Sequence, residues 1–150
     1  MYSPTSTETT LRRATEDDQR IIRRMVTSEC LNPRDVHWQN FLIAESDDRI
    51  VGIGQIRLHG TIKELGSLVV APEMRGQGVG AALVRALEAR AGLPLYLMCG
   101  AHNVAYYTRL GYRDLPDAER PAAMLPPRPL LWLIERVLRM RVHIMVKKED

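Results

Sequence analysis

The sequence predicts an α/β (α+β) fold: a mixed, mostly antiparallel central sheet of about six or seven strands flanked by helices. Three observations carry that expectation. Apolar runs of strand length alternate with runs at helical spacing. Three strand-like segments follow one another in mid-chain. One of them then passes through a glycine-rich loop directly into a helix. At 150 residues the chain is one domain by length. A domain of that size buries about two thirds of its unfolded surface and needs no disulfide or metal staples.

Residues 1–8, "MYSPTSTE", are polar and turn-rich and read as a flexible tail, leaving 9–150 as a single domain. "TLRRA" is a short strand. Thr15 followed by Asp18 has the spacing of a capping box. Ile21, Ile22, Met25, Val26 and Cys30 then share one helical face until Asn32-Pro33 closes the helix. "RDVHWQN" reads as a short helix or an irregular link. "FLIAE", "IVGIGQIRL" and "IKELGSLVV", separated by "SDDR" and "HGT", form an antiparallel meander. In "VGAALVRALEARAG" a stripe of Val79, Leu83, Ala86, Leu87 and Arg90 predicts a helix that Gly92 and Pro94 end. "LYLMC" is a buried strand, and "NVAYYTRLG" a short helix stopped by Gly111. Prolines 116, 121, 126, 127 and 129 then break the pattern, before "LLWLIERVLRM" and a closing strand in "VHIMVKK". Leu130 to Ile134 is apolar nearly all round, which predicts burial at a homodimer contact or over a pocket.

Composition narrows the classes. Apolar residues make up 45% and charged residues 26%, as in an ordinary soluble globular protein. The net charge of +3 suits an anionic ligand but comes without the dense basic face that nucleic acid requires. No apolar run reaches the roughly 18 residues of a membrane span, and the N-terminus lacks a signal-peptide core. Cys30 and Cys99 both sit in apolar segments and read as buried free thiols, which points to the cytoplasm. Histidines 37, 59, 102 and 143 lack metal-ligand spacing, so no metal is expected.

Residues 69–84, "VVAPEMRGQGVGAALV", carry the chemistry. The first N–H groups of a helix have no intrahelical partner, and the macrodipole places partial positive charge there. Glycines let that backbone approach phosphate oxygens closely, and Arg75 adds a full charge. A plain tight turn is the alternative. "RGQGVG" lacks the Lys-Ser/Thr pair of a P-loop. Its G-x-G-x-G spacing after a meander is not the dinucleotide fingerprint either.

"SLVVAPEMRGQGVGAALVRALE" resembles the GNAT superfamily of acyl-CoA-dependent N-acetyltransferases, whose signature is Arg/Gln-x-x-Gly-x-Gly/Ala; Arg75, Gly78 and Gly80 fill it. "ELGSLVV" is similar to the strand before that loop in the family, and "NVAYYTRLGY" to a later helix, so the resemblance runs from about residue 10 to 113. It implies acetyl-CoA as co-substrate, bound where the strands "IKELGSLVV" and "LYLMC" splay apart. The amides of Arg75, Gly76, Gln77, Gly78, Val79 and Gly80 would hold the pyrophosphate. Backbone groups of Leu68, Val69 and Val70 would pair with the pantetheine arm like an added strand. Asn103 would bond the pantetheine or phosphate region; an ordinary helix cap is the other reading.

Acetyl transfer to an amine needs a neutral nucleophile, a stabilised oxyanion and a proton for the departing thiolate. The resemblance puts a catalytic base at Glu64. Strand alternation gives it the face of Leu68 at about 13 Å, so a water relay is expected. His59 is the reserve, and a structural pairing of Glu64 with Lys63 or Arg57 is the bland alternative. Tyr107 would be the acid, with Tyr106 in the core, and the Val70 N–H the oxyanion donor. Cys99 reads as a packed thiol rather than a nucleophile. The implied acceptor is a primary amine of a small molecule or amino acid. Its pocket would be built from residues about 25 to 40, with His37 and Trp38, and about 114 to 142. Arg34 and Arg128 would meet an acidic acceptor or simply face solvent. A non-catalytic acyl-CoA sensor and a protein or peptide acetyltransferase are the competing readings. The pair Glu64 and Tyr107 favours an enzyme, since a binder needs neither.

Overall fold

The computed structural model describes residues 8–29 and 31–150. Most of the expected tail and the Cys30 thiol lie outside them. The described residues form seven strands: β1 (Thr10–Arg13), β2 (Phe41–Ser46), β3 (Arg49–His59), β4 (Ile62–Val70), β5 (Leu95–Gly100), β6 (Arg113–Asp114) and β7 (Val142–Lys147). The helices are α1 (Gln19–Ser28), α2 (Val79–Ala91), α3 (Val104–Arg109) and α4 (Arg128–Trp132), the last continuing as a π-turn over Leu133–Val137. The sheet order is β1-β2-β3-β4-β5-β7-β6, with β4 and β5 parallel. This is the mixed, mostly antiparallel sheet that the sequence predicts. The chain divides into two compact units, Met1–Ile56 with Ser67–Ala89, and Arg57–Gly66 with Arg90–Asp150.

In the first unit, β1, β2 and the first part of β3 form the meander, with Leu11 opposite Ala44 and Ile43 opposite Ile53. Asp47 and Asp48 turn the hairpin at φ 50° and 58°, the left-handed backbone that matches a two-residue turn to the twist of its strands. Helix α1 buries Ile22 and Val26 against Phe41, Ile43, Ile53 and Val69. Ile21, expected on the same face, is 40% exposed, because the buried stripe is narrower than the apolar one. The capping box forms: the Thr15 N–H donates to Asp18 Oδ2 at 2.7 Å. Arg12 meets that carboxylate at 2.7 Å and Glu45 at 3.0 Å, tying β1 to β2 and to the start of α1. Helix α2 buries Val79, Leu83, Val84 and Leu87. Arg90, expected on its buried stripe, is exposed, and Val84 joins the stripe instead. A side chain at Gly54 would put Cβ 2.8 Å from Leu87 Cδ1, and one at Gly52 2.9 Å from Leu83 Cδ1. These two glycines let the helix lie directly on β3.

In the second unit β5 pairs with β7 from Leu95/Lys147 to Gly100/Val142, and the two-residue β6 adds an edge the sequence pattern does not show. Tyr96, Met98, Ile144 and Val146 pack under Leu115, Met124 and Leu125 of the proline-rich segment. Gly111 ends α3 at φ 97°, the left-handed stop expected of it. The segment after Pro129 is largely exposed in the single chain. Leu130, Trp132, Leu133, Val137, Leu138 and Met140 are 42–60% exposed, so the described residues of this chain do not supply the burial predicted for them. No helix of the described residues is long and apolar enough to cross a membrane.

Candidate functional site

The glycine loop lies wholly in the first unit. After β4 the chain makes a 3-10 turn over Pro72–Met74, and Gly76 and Gly78 follow at φ 77° and 84°. A Cβ at either glycine would meet no protein atom within 4 Å. They leave open space at the start of α2, whose first closing bond runs from the Ala82 N–H to the Gly78 carbonyl at 3.0 Å. The N–H groups of Val79, Gly80 and Ala81 precede that bond and have no partner in the helix. Arg75 does not face the loop mouth as a free charge. Its Nη2 donates to Glu29 at 2.8 Å and its Nε to the Val70 carbonyl at 3.1 Å. Gln77 Nε2 donates back to the Glu73 carbonyl at 3.3 Å. The side chains of Arg75 and Gln77 are thus turned onto the protein.

Strand β4 does not alternate regularly. Ser67 sits at φ 50°, a bulge that slips the side-chain phase. Ser67 Oγ accepts from Gln55 Nε2 at 2.9 Å, on one face of β3. Leu68 packs beside the Gly54 position with Leu87, on the opposite face. Glu64 is met by Arg57 and His59, which alternate with Gln55 on the first face. Glu64 therefore does not share the face of Leu68, contrary to the simple alternation expected from sequence.

The proton-transfer candidates lie in the second unit. Glu64 is 8% exposed, with Oε2 at 2.5 Å from His59 Nε2 and Oε1 at 3.9 Å from Arg57 Nη1. The Arg57 alternative of the sequence reading is thus present, and the reserve base His59 is bonded to the leading one. Tyr107 is 8% exposed, while Tyr106 is only half-buried, the reverse of the division expected. The Tyr107 ring packs edge-on against Tyr106 and Tyr112, at centroid distances of 5.1 and 6.0 Å. Its hydroxyl makes no hydrogen bond among the described residues. Burial, reinforced by Cys99 and Tyr106, pushes its pKa well above the phenol's usual value, so it holds its proton at neutral pH. Burial, with the charge of Asp114 added, pushes the Cys99 thiol up to about 11. Such a thiol is a poor nucleophile, and packing suits it better. Asn103 precedes α3 but makes no capping bond, so its side chain is exposed and unengaged among the described residues.

An open cavity of about 700 Å³ in the second unit is edged by Asp114, Leu115, Arg120, Arg136, Arg141 and His143. Sequence reasoning missed its pair: Asp114 Oδ2 lies 2.8 Å from His143 Nδ1. The only signal was the β6–β7 pairing, too short to read from pattern. A second concavity, of about 550 Å³ in the first unit, includes Arg20, Arg23, His37 and Trp38. Arg34 and Arg128 line neither of the two. No cluster of metal-ligating side chains occurs among the described residues.

The architecture is that of an α/β protein whose first unit holds a glycine-rich strand-to-helix junction and whose second unit holds a parallel strand pair. The family is then particular: residues 37–114 match the acetyltransferase (GNAT) domain, and the chain belongs to that family. A comparison with curated proteins gives no match to the sequence. Among solved structures, Rv2747 from Mycobacterium tuberculosis, in complex with CoA and NLQ, has a TM-score of 0.73 at 18% identity, over 94% of this chain and 99% of that one. N-acetylglutamate synthase from Neisseria gonorrhoeae, complexed with coenzyme A and N-acetyl-glutamate, has a TM-score of 0.72 at 18% identity over 97% of this chain. The alignment spans only 36% of the synthase chain. A GCN5-related N-acetyltransferase from Kribbella flavida is 25% identical over 75% of this chain and 35% of that one, with a TM-score of 0.57.

Proposed function

We propose that this protein transfers the acetyl group of acetyl-CoA to a primary amine of a small molecule or amino acid. The observation that carries the reading is the open main chain at Gly76 and Gly78, which lies within the stretch that matches the family. Amides from Arg75 to Gly80 take the pyrophosphate, whose charge the helix terminus favours. The main chain of Leu68, Val69 and Val70 pairs with the pantetheine arm; that solved structures of this fold are complexes with CoA supports the choice of ligand. Asn103, with its side chain unengaged, adds a bond to the same ligand.

In the reaction the amine first loses a proton to Glu64 through water. Its nitrogen then attacks the thioester carbonyl, and the Val70 N–H stabilises the oxyanion. As the carbon–sulfur bond breaks, Tyr107 gives its proton to the thiolate and regains one from the attacking nitrogen. The burial that holds the phenol neutral and its unbonded hydroxyl support the acid role. A catalytic Glu64 bonded to His59 is steered rather than free, which supports a relay over direct contact. A thiol-release assay with acetyl-CoA against amino acids, polyamines and aminoglycosides tests the reading. Release that depends on acceptor is expected; none with any amine would leave an acyl-CoA sensor as the better account.

A further inference from the structure

The segment between the proline-rich stretch and β7 holds its apolar side chains outside the core. Leu130, Trp132, Leu133, Val137, Leu138 and Met140 are exposed, and only Leu131 and Ile134 are half-buried. Exposed apolar side chains that occur singly need no explanation, but a run of six this dense marks a surface that something covers. None of the six lines either of the two concavities.

The charges among them are nearly all of one sign. Arg128, Arg136, Arg139 and Arg141 occupy the same stretch, with Glu135 as its one acid. All five are exposed and enter no side-chain hydrogen bond or ion pair among the described residues. The cover must therefore be apolar and anionic at once. Two copies meeting through this segment about a two-fold axis would set like charges on like. An acidic protein groove would supply the charge, but it takes anchors from one helical face. Leu130 and Trp132 are two apart in α4 and cannot share a face, and Leu138 and Met140 lie beyond its helical turns. A fluid bilayer conforms to side chains that project in several directions, and its acidic lipids supply the charge.

We infer that residues 128–141 dock the protein on an anionic lipid surface. Leu130, Leu133, Val137, Leu138 and Met140 enter the acyl boundary, and Trp132 sits at headgroup depth, where amphipathic rings are favoured. The arginines lay their stems along the interface and reach the lipid phosphates and carboxylates. The segment lies on the membrane rather than across it, since no helix of the described residues is long and apolar enough to span one. The inference stands apart from the acetyl-transfer reading, because it uses neither the glycine loop nor any proton-transfer group.

The full chain is sedimented with vesicles of phosphatidylcholine alone, and with vesicles of equal parts phosphatidylcholine and phosphatidylserine. Partition onto the anionic vesicles is expected to exceed that onto the neutral ones by at least about tenfold, and to weaken as salt rises. R136Q/R141Q should lower it about 30-fold, at roughly fivefold for each arginine near such a surface. L133S/V137S changes no charge and should lower it as well. Both variants should melt with the parent protein, since the four replaced side chains are exposed. Tryptophan emission should shift to the blue on anionic vesicles, and W132F should abolish that shift. Equal partition onto neutral vesicles, or binding that either double variant leaves intact, overturns the inference. Sedimentation velocity without lipid reads the other occupants. A dimer that L133S/V137S dissociates would assign the face to a second copy and overturn the lipid reading. A monomer that ignores both kinds of vesicle would overturn it in favour of an acidic protein partner.

Discussion

Gly78 shows how one residue divides between fold and function. Its φ of 84° puts an L side chain in a strained region, yet a Cβ there meets no protein atom within 4 Å. Gly78→Ala is expected to cost about 1 kcal/mol of strain, or about 3 °C in Tm. Its larger effect is on CoA, since the methyl would stand where the phosphate is proposed to sit. CoA affinity should fall about tenfold by calorimetry, and an unchanged Kd would remove the glycine loop from the proposed binding site. Tyr107 makes the complementary case. Tyr107→Phe keeps the ring contacts with Tyr106 and Tyr112 and removes only the hydroxyl. A fall in kcat of about 100-fold with acetyl-CoA affinity intact is expected for a lost acid; undiminished turnover would end its candidacy. Because burial raises this phenol above its ordinary 10.0, any basic limb of the rate profile below that pH belongs to another group.

Elements are aligned here by a few polar contacts as well as by packing. Asp18 caps the first helical turn and is held by Arg12, whose hydrogen bonds, ahead of the backbone bond from Thr15, keep its carboxyl below the ordinary 3.8. A depressed folded-state pKa adds stability above the unfolded value, and the gain drains away as pH falls through the folded one. Asp18→Asn should therefore destabilise the protein by about 2 kcal/mol at neutral pH. The difference from the parent protein should shrink below about pH 4. Denaturant melts at pH 7 and pH 3 measure it, and an equal difference at both would show that the ion pair contributes nothing. Strand β4 is the other element whose detail matters. Pattern alone reads it as a regular strand, but the bulge at Ser67 sends Glu64 and Leu68 to opposite faces. Such a slip leaves no trace in hydrophobic periodicity, because Gly66 and Ser67 are both small.

For the whole molecule, a ligand that binds only the folded state raises the melting temperature by mass action. CoA at 100 times its Kd should add about 2.7 kcal/mol, roughly 8 °C for a chain of this length. No shift at millimolar CoA would remove the cofactor from the proposal. The glycine loop and the elements around it lay open in the sequence because each is local. Strand and helix periods, a capping spacing and a glycine run are read within about fifteen residues. The Asp114–His143 pair and the exposed arginines beside it were hidden, since β6 is two residues long and 29 positions separate the pair. The exposure of Leu130 to Met140 was hidden as well. An apolar run states that burial is favourable, but not whether the same chain provides it.

The sequence by itself determined the family, most of the strand and helix order, and the glycine loop at the start of α2, because these depend on backbone chemistry over short stretches. Tertiary structure alone decided which charges are already spent. Arg75 is matched by Glu29, Glu64 by His59 and Arg57, and Asp18 by Arg12, whereas Arg136 and Arg141 are matched by none of the described residues. The physical reason is that an ion pair depends on distance through space, and residues far apart in the chain settle that distance only when the strands between them have paired.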